Sequence, residues 1–142
     1  MTLVSFTPQQ TNPDFEGLVY ETRTVTTYPD TATVTATELL GGLLIDSKAG
    51  AETLTLPTAA LLNAAVPGAQ AGKSFIFYVR NTGNNTTTVA AGTGGTSVSG
   101  NTLTIATLST RIFLVRITAV SNSVDPASTD TYDLYSLGVS LH

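Results

Sequence analysis

The chain has 142 residues, no cysteine and a formal net charge of −4, and only 11% of its residues are charged. This length suits one domain, and the lack of cysteine excludes disulfides. Six scattered basic residues do not form the positive cluster that nucleic-acid binding requires, so no nucleic-acid partner is expected. Threonine, about one residue in five, is β-branched and favours strands throughout.

The N-terminus predicts an extended arm over residues 1–14, where Pro8 and Pro13 lie among glutamine, asparagine and threonine. Residues 15–142 are expected to form a single β-domain. The N-terminus has neither a basic region nor a long apolar run, so we expect no signal peptide and synthesis in a cytoplasm. No apolar stretch approaches the roughly 20 residues of a membrane span, and no membrane partner is expected.

Strands account for most of the first half of the domain. Alternation of apolar and polar residues predicts strands over 15–28 and 31–37, the second with threonine at every odd position. Residues 38–46 predict a short apolar strand that bulges or bends at Gly41-Gly42. Residues 52–57 predict a further strand.

One short helix is predicted over residues 58–66. Thr58 is suited to the N-cap position, and Pro67-Gly68 stops the helix. Two turns of helix are too short to be stable alone, so this helix must pack on the sheet. The residues expected to face the sheet are Leu61, Leu62, Ala65 and Val66.

The clearest core strand is SFIFYVRN, residues 74–81, which has apolar residues on both faces and is therefore predicted to be central. The sequence NTGNN, residues 81–85, predicts a hairpin turn into a returning strand over 86–91. The stretch 92–101 is turn-rich. The remaining strands are predicted over 102–108, 110–121 and 131–141.

About eight short strands with regular turn signals predict an all-β fold, a β-sandwich or jelly-roll-like barrel. The single helix at about 58–66 would cover one open end. The sequence has no evident internal repeat of 20–50 residues, so we do not expect a solenoid.

Two glycine-rich stretches are similar to nucleotide-binding loops. In GAQAGKS, residues 68–74, only three residues separate Gly68 from Gly72, and a helix precedes the stretch. A P-loop needs four intervening residues and leads from a strand into a helix, so we predict a connector. The stretch GTSVSGNT, residues 95–102, has the spacing but carries Asn101 in place of lysine.

Catalytic and metal-binding residues are not predicted anywhere in the chain. The only histidine is His142, the last residue, so we expect neither a Ser-His-Asp triad nor a His/Cys metal site. Asp125, Asp130 and Asp133 lack the fixed spacing of a calcium loop and are expected to be solvated. We therefore expect no enzyme, no catalytic residue, no cofactor and no metal.

Other polar clusters have structural interpretations. Asn84 and Asn85 each begin an N-x-T sequence, which we assign to a polar hairpin tip. Threonine arrays over 22–27 and 31–37 place hydroxyls in rows, as on ice-binding β-surfaces. Such surfaces need rows on several adjacent strands, and here the arrays lie in one region. We expect a solvated strand edge or a face that packs on another subunit.

Residues 54–95 contain the run L-T-L-P-T-A, a short helix, G-K-S-F-I-F-Y-V-R-N and T-V-A-A-G-T-G. Together with RIFLVRITAV at 111–120, this run resembles a β-rich module of structural proteins from tailed phages and large DNA viruses. The resemblance covers about half of the chain, mostly framework positions, and brings no catalytic residue with it. It implies a virion structural protein.

Size and resemblance together predict a capsid decoration (cement) protein. We expect a homotrimer on the virion surface, bound to the major capsid protein, with residues 1–14 as a tether ordered on binding. Two other classes remain open. One is a receptor- or glycan-binding module of a phage tail or fibre, and the other is a hydrolase.

Overall fold

The computed structural model describes residues 22–98, 102–121 and 129–140. The predicted N-terminal arm, Asp125 and His142 lie outside these ranges. The described residues form ten strands and two short helices, so the fold is mostly β, as predicted. The strands are β1 (Thr24–Tyr28), β2 (Ala32–Thr33), β3 (Gly42–Asp46), β4 (Glu52–Thr55), β5 (Ser74–Asn81), β6 (Thr87–Ala90), β7 (Gly95–Ser97), β8 (Thr104–Ile105), β9 (Thr110–Ala119) and β10 (Thr131–Ser140). The helices are α1 (Ala36–Gly41) and α2 (Ala59–Ala65), and neither is long enough to cross a membrane.

Two mixed sheets contain all ten strands. The six-stranded sheet has the order β1-β3-β5-β9-β10-β7, and the four-stranded sheet has the order β2-β4-β6-β8. Strands β5, β9 and β10 pair antiparallel, whereas β1, β3 and β5 pair parallel. Both sheets contribute to one hydrophobic core, in which Leu44, Phe77 and Phe113 meet Leu54 and Val89.

The first six strands wind between the two sheets. Odd-numbered strands enter the six-stranded sheet and even-numbered strands the four-stranded sheet, each parallel to its predecessor in the same sheet. Thr24 pairs with Gly42, 18 residues later, whereas Leu43 pairs with Tyr78, 35 residues later. The number of residues between paired strands therefore differs from one turn of this winding to the next, and the sequence shows no constant period.

Strands were predicted over 31–37 and 38–46, but only the shorter strands β2 and β3 form within these ranges. Helix α1 occupies residues that were predicted as strand. Thr35 Oγ1 accepts a hydrogen bond from the Glu38 amide at 3.2 Å, and Glu38 Oε2 accepts one from the Thr35 amide at 2.8 Å. This capping box satisfies two amides that an exposed strand would leave to water. Gly42 then ends the helix in the left-handed region, with φ at 88°, instead of forming a bulge within a strand.

Helix α2 confirms the predicted helix and its N-cap. Thr58 Oγ1 accepts a hydrogen bond from the Leu61 amide at 3.3 Å. The helix buries Ala59, Leu62 and Asn63, which lie on one face at spacings of three and four residues. The prediction for Leu61 is wrong: its side chain is 62% exposed, since it lies on the opposite side of the helix.

Strand β5 is central, as predicted, and lies between β3 and β9. Its inward residues Phe77 and Val79 are fully buried. The Phe77 ring stacks on Phe113 of β9 with a centroid separation of 5.2 Å. Aromatic pairs of this kind stabilise beyond their buried area by about 0.5–1.5 kcal/mol.

The turn at residues 81–85 is not a hairpin, because β5 and β6 belong to different sheets. Asn81 is fully buried at this crossing. Its Nδ2 donates to the carbonyls of Asn85 at 2.6 Å and Ile105 at 3.1 Å, and its Oδ1 accepts from the Gly83 amide at 2.9 Å. A side chain that satisfies the backbone in this way holds the chain in a sharp passage between sheets.

An earlier crossing, from β3 to β4, also contains a buried polar side chain. Asp46 is 1% exposed and accepts hydrogen bonds from the Thr87 hydroxyl and, at 2.9 Å, from the Lys48 amide. The Lys48 ammonium lies 2.7 Å from Asp30 and 3.0 Å from Glu52. These contacts fix the loop that joins the two sheets.

The three strands predicted in the C-terminal part all lie where the structure has strands, but one of them is much shorter than predicted. Strands β9 and β10 confirm the two long predicted strands. The strand predicted over 102–108 shortens to β8, and the turn-rich stretch before it contains β7, which pairs parallel with β10.

Candidate interaction surface

The outer side of the six-stranded sheet carries two rows of apolar residues. Alternate residues of β3, β5, β9 and β10 are buried, so the intervening side chains point away from the core. Strand register aligns these outward residues across the sheet. The first row is Val25, Leu43, Tyr78 and Ile112. The second row is Ile76, Leu114 and Tyr135.

We call these rows, together with Arg23, Arg80, Arg116 and Asp133 around them, the outer face. Five adjacent strands at about 4.8 Å spacing and about seven residues of length give a surface of about 500 Å². Val25 is 53% exposed and Ile76 is 37% exposed, and the other apolar members are partly buried. The two apolar rows make up part of this surface, and contiguous exposed apolar surface on a domain is often functional.

Two arginines are held against the outer face. The Arg23 guanidinium lies 4.8 Å above the centre of the Tyr78 ring, a cation–π contact. Arg80 Nη1 donates a hydrogen bond to the Leu108 carbonyl at 2.7 Å. Both arginines line a shallow groove of about 380 Å³ beside Tyr78. Their positive charges are therefore positioned at the edge of the apolar rows.

The charge of the outer face is opposite to that of the whole protein. Arg116 and Asp133 are register partners on β9 and β10, so the face has three arginines and one aspartate. The outer face therefore has a formal charge of +2. Because the whole chain carries −4, all other residues together carry −6. Half of the six basic residues therefore lie around one apolar surface.

The stretch GAQAGKS connects α2 to β5, as predicted. Lys73 Nζ donates hydrogen bonds to the carbonyls of Pro67 at 2.5 Å and Gly68 at 3.1 Å. Gly72 has a φ of 92°, which suits the turn into the strand. Phosphate sites present backbone amides at a helix N-terminus, whereas this lysine is bound by carbonyl oxygens after a helix C-terminus.

The acidic residues considered as calcium ligands have separate partners. Asp130 accepts hydrogen bonds from Asn63 Nδ2 at 2.6 Å and from the Ser121 hydroxyl at 2.8 Å, and these bonds lower the pKa of its carboxyl. Asp133 accepts one from the Tyr135 hydroxyl at 3.2 Å. Within the described residues, no three acidic, histidine or cysteine side chains form a group that could hold a metal ion.

The remaining polar candidates lie in loops or short strands. Asn85 Nδ2 donates to the Ala49 carbonyl at 2.8 Å and to Asn84 Oδ1 at 3.2 Å, within the crossing from β5 to β6. In the stretch 95–102, the first three residues form β7, and Asn101 lies outside the described ranges.

Threonines line the outer side of the four-stranded sheet. Thr53, Thr88 and Thr104 are in register on three adjacent strands, and Thr33 pairs with Thr55. The threonine rows are therefore not confined to one region, contrary to expectation. These residues are far apart in the sequence, so only the pairing of the strands brings them together.

Sequence patterns did not mark the outer face as a site. Residues 74–81 were predicted only as a central strand with apolar residues on both faces. The sequence did contain a signal for this surface, because several strands carry apolar residues on the side that faces solvent. A sheet with one solvated face usually has polar residues there.

Comparisons with family profiles, curated proteins and solved structures found no match for this chain. The observations that bear on its function are therefore the outer face and the sequence resemblance.

Proposed function

We propose that this protein is a viral structural protein without enzymatic activity, a capsid decoration protein that binds the outer capsid surface as a homotrimer. The observation that carries the proposal is the outer face: two apolar rows with arginines around them on an otherwise acidic chain. Such a broad surface suits contact with protein, since small ligands favour deep clefts that bury most of their area.

The resemblance to virion modules supports the same proposal. Its main stretch, residues 54–95, runs from β4 to β7 and contains the central strand β5, whose outward residues belong to the outer face. The residues that resemble virion modules therefore include strand β5, which carries part of the outer face.

We also propose that the two sheets form a β-sandwich. Their inward residues belong to one core, as two facing sheets require. The parallel pairing of β1, β3 and β5 favours a sandwich over a jelly roll, whose strands are antiparallel.

The second candidate is a receptor- or glycan-binding module of a tail or fibre. The groove beside Tyr78 favours it, because Arg23 and Arg80 in its lining offer hydrogen-bond donors to a sugar. A glycan array checks this function. Specific hits that the Arg80→Ala variant loses would support it, and an array without hits would contradict it.

Co-sedimentation tests the decoration function. The purified protein is incubated with capsids isolated from the source of this sequence, and an unrelated protein of similar size and acidity serves as the control for trapping. We expect saturable binding and, by electron microscopy, added density on the outer capsid surface. Protein that stays in the supernatant at saturating concentration would refute the decoration role.

A further inference from the structure

We propose that residues 15–21, FEGLVYE, lie across the second row of the outer face in the same molecule and cover Ile76 and Leu114. These seven residues directly precede Thr22, where the described part of the chain begins. The inference does not depend on the decoration role. It leaves the first row and residues 1–14 for contact with another protein.

A groove at the start of β1 leads from this end of the chain to the second row. It has a volume of about 580 Å³, and its lining includes Thr22 and Arg23 as well as Ile76 and Leu114. The groove lies where β3 has not yet begun, because β5 starts earlier than its pairing with β3. The chain before Thr22 therefore adjoins a groove that ends at the apolar surface to be covered.

The length of the segment matches the width of the row. Four strand spacings of about 4.8 Å separate β1 from β10, which is about 19 Å. Seven extended residues at about 3.3 Å each span about 23 Å. Residues 15–21 therefore reach from Thr22 across β5 and β9, and Glu16 comes to the far part of the row, where Arg116 is the nearest basic residue of the outer face.

The charges of the segment complement those of the outer face. The face carries three arginines and one aspartate, whereas residues 15–21 contain Glu16 and Glu21 and no basic residue. Opposite charges across a contact favour one orientation and exclude others. The segment therefore has the charge sign that the face attracts.

Acidic side chains elsewhere in the described ranges are already engaged. Five of them lie outside the outer face, and each has an ion pair or a hydrogen bond: Asp30, Glu38, Asp46, Glu52 and Asp130. Of the ten acidic residues in the chain, four lie outside the described ranges, and three of these are at positions 14, 16 and 21. The acidic partner of the outer face is therefore expected from this end of the chain.

The apolar residues of the segment suit the second row. Four of its seven residues are apolar: Phe15, Leu18, Val19 and Tyr20. Ile76 is 37% exposed and Leu114 is half-buried, so contact removes apolar surface from water on both sides. Because the segment is joined directly to Thr22, its effective concentration at the row is high, and a weak contact is sufficient to hold it there.

Thiol labelling of the full chain tests this contact, because the chain has no cysteine of its own. The Ile76→Cys change reports on the second row, and Val25→Cys, at a residue that is 53% exposed, reports on the first row. If the segment is docked in about nine of ten molecules, a neutral maleimide should react about tenfold more slowly at position 76 than at position 25. The ratio should be the same at about 5 μM and about 100 μM protein, since an intramolecular contact does not follow mass action.

Two sets of variants separate the apolar part of the contact from the charged part. Val19→Asp should raise the labelling rate at position 76 about fivefold, because docking would bury a carboxylate. Its control, Val4→Asp, makes the same change within residues 1–14 and should leave the rate unchanged. Arg116→Glu should raise the rate about threefold, and the addition of Glu16→Arg should restore slow labelling. A direct effect of the new carboxylate on the thiol would persist in the double variant.

The labelling rates decide whether the segment docks, and circular dichroism confirms that each variant is folded. Leu114→Cys is a second reporter of the row if Ile76→Cys does not fold. The docking is supported if Val19→Asp raises the rate at position 76 and Val4→Asp does not. A rate that neither change raises, or that both raise equally, would overturn it. Slow labelling confined to high protein concentration would overturn it as well, since a second copy would then cover the row.

Discussion

The hydrogen bonds around Glu38 predict a measurable coupling between β1 and α1. Glu38 Oε2 accepts three hydrogen bonds, from the Tyr28 hydroxyl at 3.0 Å and from the Thr35 amide and hydroxyl, each at 2.8 Å. Tyr28 is 7% exposed as a whole residue, and the hydrogen bond from its hydroxyl to Glu38 is partly buried. One carboxylate therefore both caps the helix and satisfies a buried phenol.

We expect Glu38→Ala to lower the free energy of unfolding by about 2–4 kcal/mol. Loss of the capping box costs about 1 kcal/mol, and loss of a charged acceptor for a buried hydroxyl costs about 1.5–3 kcal/mol. Tyr28→Phe removes the hydrogen bond and the hydroxyl together, so no buried hydroxyl is left without an acceptor and the cost should be smaller, about 1–2 kcal/mol. The double variant should then cost at least about 1 kcal/mol less than the sum of the two single variants.

Urea unfolding followed by circular dichroism measures these values. The control is Thr37→Ala, an exposed change in the same helical turn, which is expected to stay within about 0.5 kcal/mol of the parent. If the Tyr28 and Glu38 effects add within about 0.3 kcal/mol, the two side chains are not coupled and the reasoning is refuted.

The pH dependence of this coupling has a defined sign. The hydrogen bond from the Thr35 amide is the main reason why the pKa of Glu38 lies below its usual value. The stabilisation is therefore complete above about pH 4.3, the unfolded value, and is lost as the pH falls through the lower folded value. Burial, followed by the bond to Glu38, raises the pKa of Tyr28, so folding also weakens as the pH rises above about 10.

Three further predictions concern the core, a glycine and an acid. Leu62→Ala should cost about 2–5 kcal/mol in urea unfolding, whereas Leu61→Ala should change stability by less than about 0.5 kcal/mol, and similar costs would contradict the burial of α2. Gly92→Ala should destabilise by more than about 2 kcal/mol, because its Cβ would overlap two backbone carbonyl oxygens, whereas Gly50→Ala should be tolerated within about 0.5 kcal/mol. Asp130 should titrate below its ordinary value of about 3.9 by NMR, with its stabilising contribution lost as the pH falls through that lowered pKa, and an ordinary value would contradict its hydrogen bonds.

The sequence predicted elements whose local signals agree with their surroundings. Strands β5 and β9 have long alternating patterns, and their inward residues fill the core. Helix α2 has a threonine cap at Thr58, with Pro57 before the helix and Pro67 after it. In these segments, local propensity and tertiary packing favour the same structure, so a pattern of seven to ten residues was sufficient.

Residues 36–41 were predicted wrongly as strand, because two local signals compete in this region. The alternating threonines favour a strand, whereas Thr35 and Glu38 have the spacing of a capping box. The box prevails because it satisfies the first amides of α1 while Leu39 enters the core with no exposed surface. The spacing of Thr35 and Glu38 was visible in the sequence and predicts a helix start. It should have outweighed the alternation of threonines, because threonine is common throughout the chain.

Local sequence patterns could not predict which of the two sheets each strand joins. Asn81 and Asp46 are polar residues at the ends of apolar strands, where sequence reasoning expects turns exposed to water. In the structure both are buried, because the backbone carbonyls and amides of two crossings need partners there. A hairpin and a crossing between sheets have the same turn residues, and only the pairing of β5 and β6 with strands of different sheets distinguishes them.

Equivalent positions in successive turns reveal the repeat that the sequence conceals. Thr35 caps α1 and Leu39, four residues later, is fully buried; Thr58 and Leu62 have the same relation in α2. The two helices therefore occupy corresponding places in the winding. The loop over 66–73, which contains the glycine-rich connector, lengthens the second turn and removes any constant period.

The same winding produces the outer face. Each turn places one strand in the six-stranded sheet, and parallel register aligns Val25, Leu43 and Tyr78, one from each turn. Because these residues are 18 and 35 positions apart, no local pattern marks them as one surface. Loop insertions between turns leave this alignment intact, whereas a shift of one residue in any of the three strands would turn its outward residue into the core. The outer face is therefore a property of strand register.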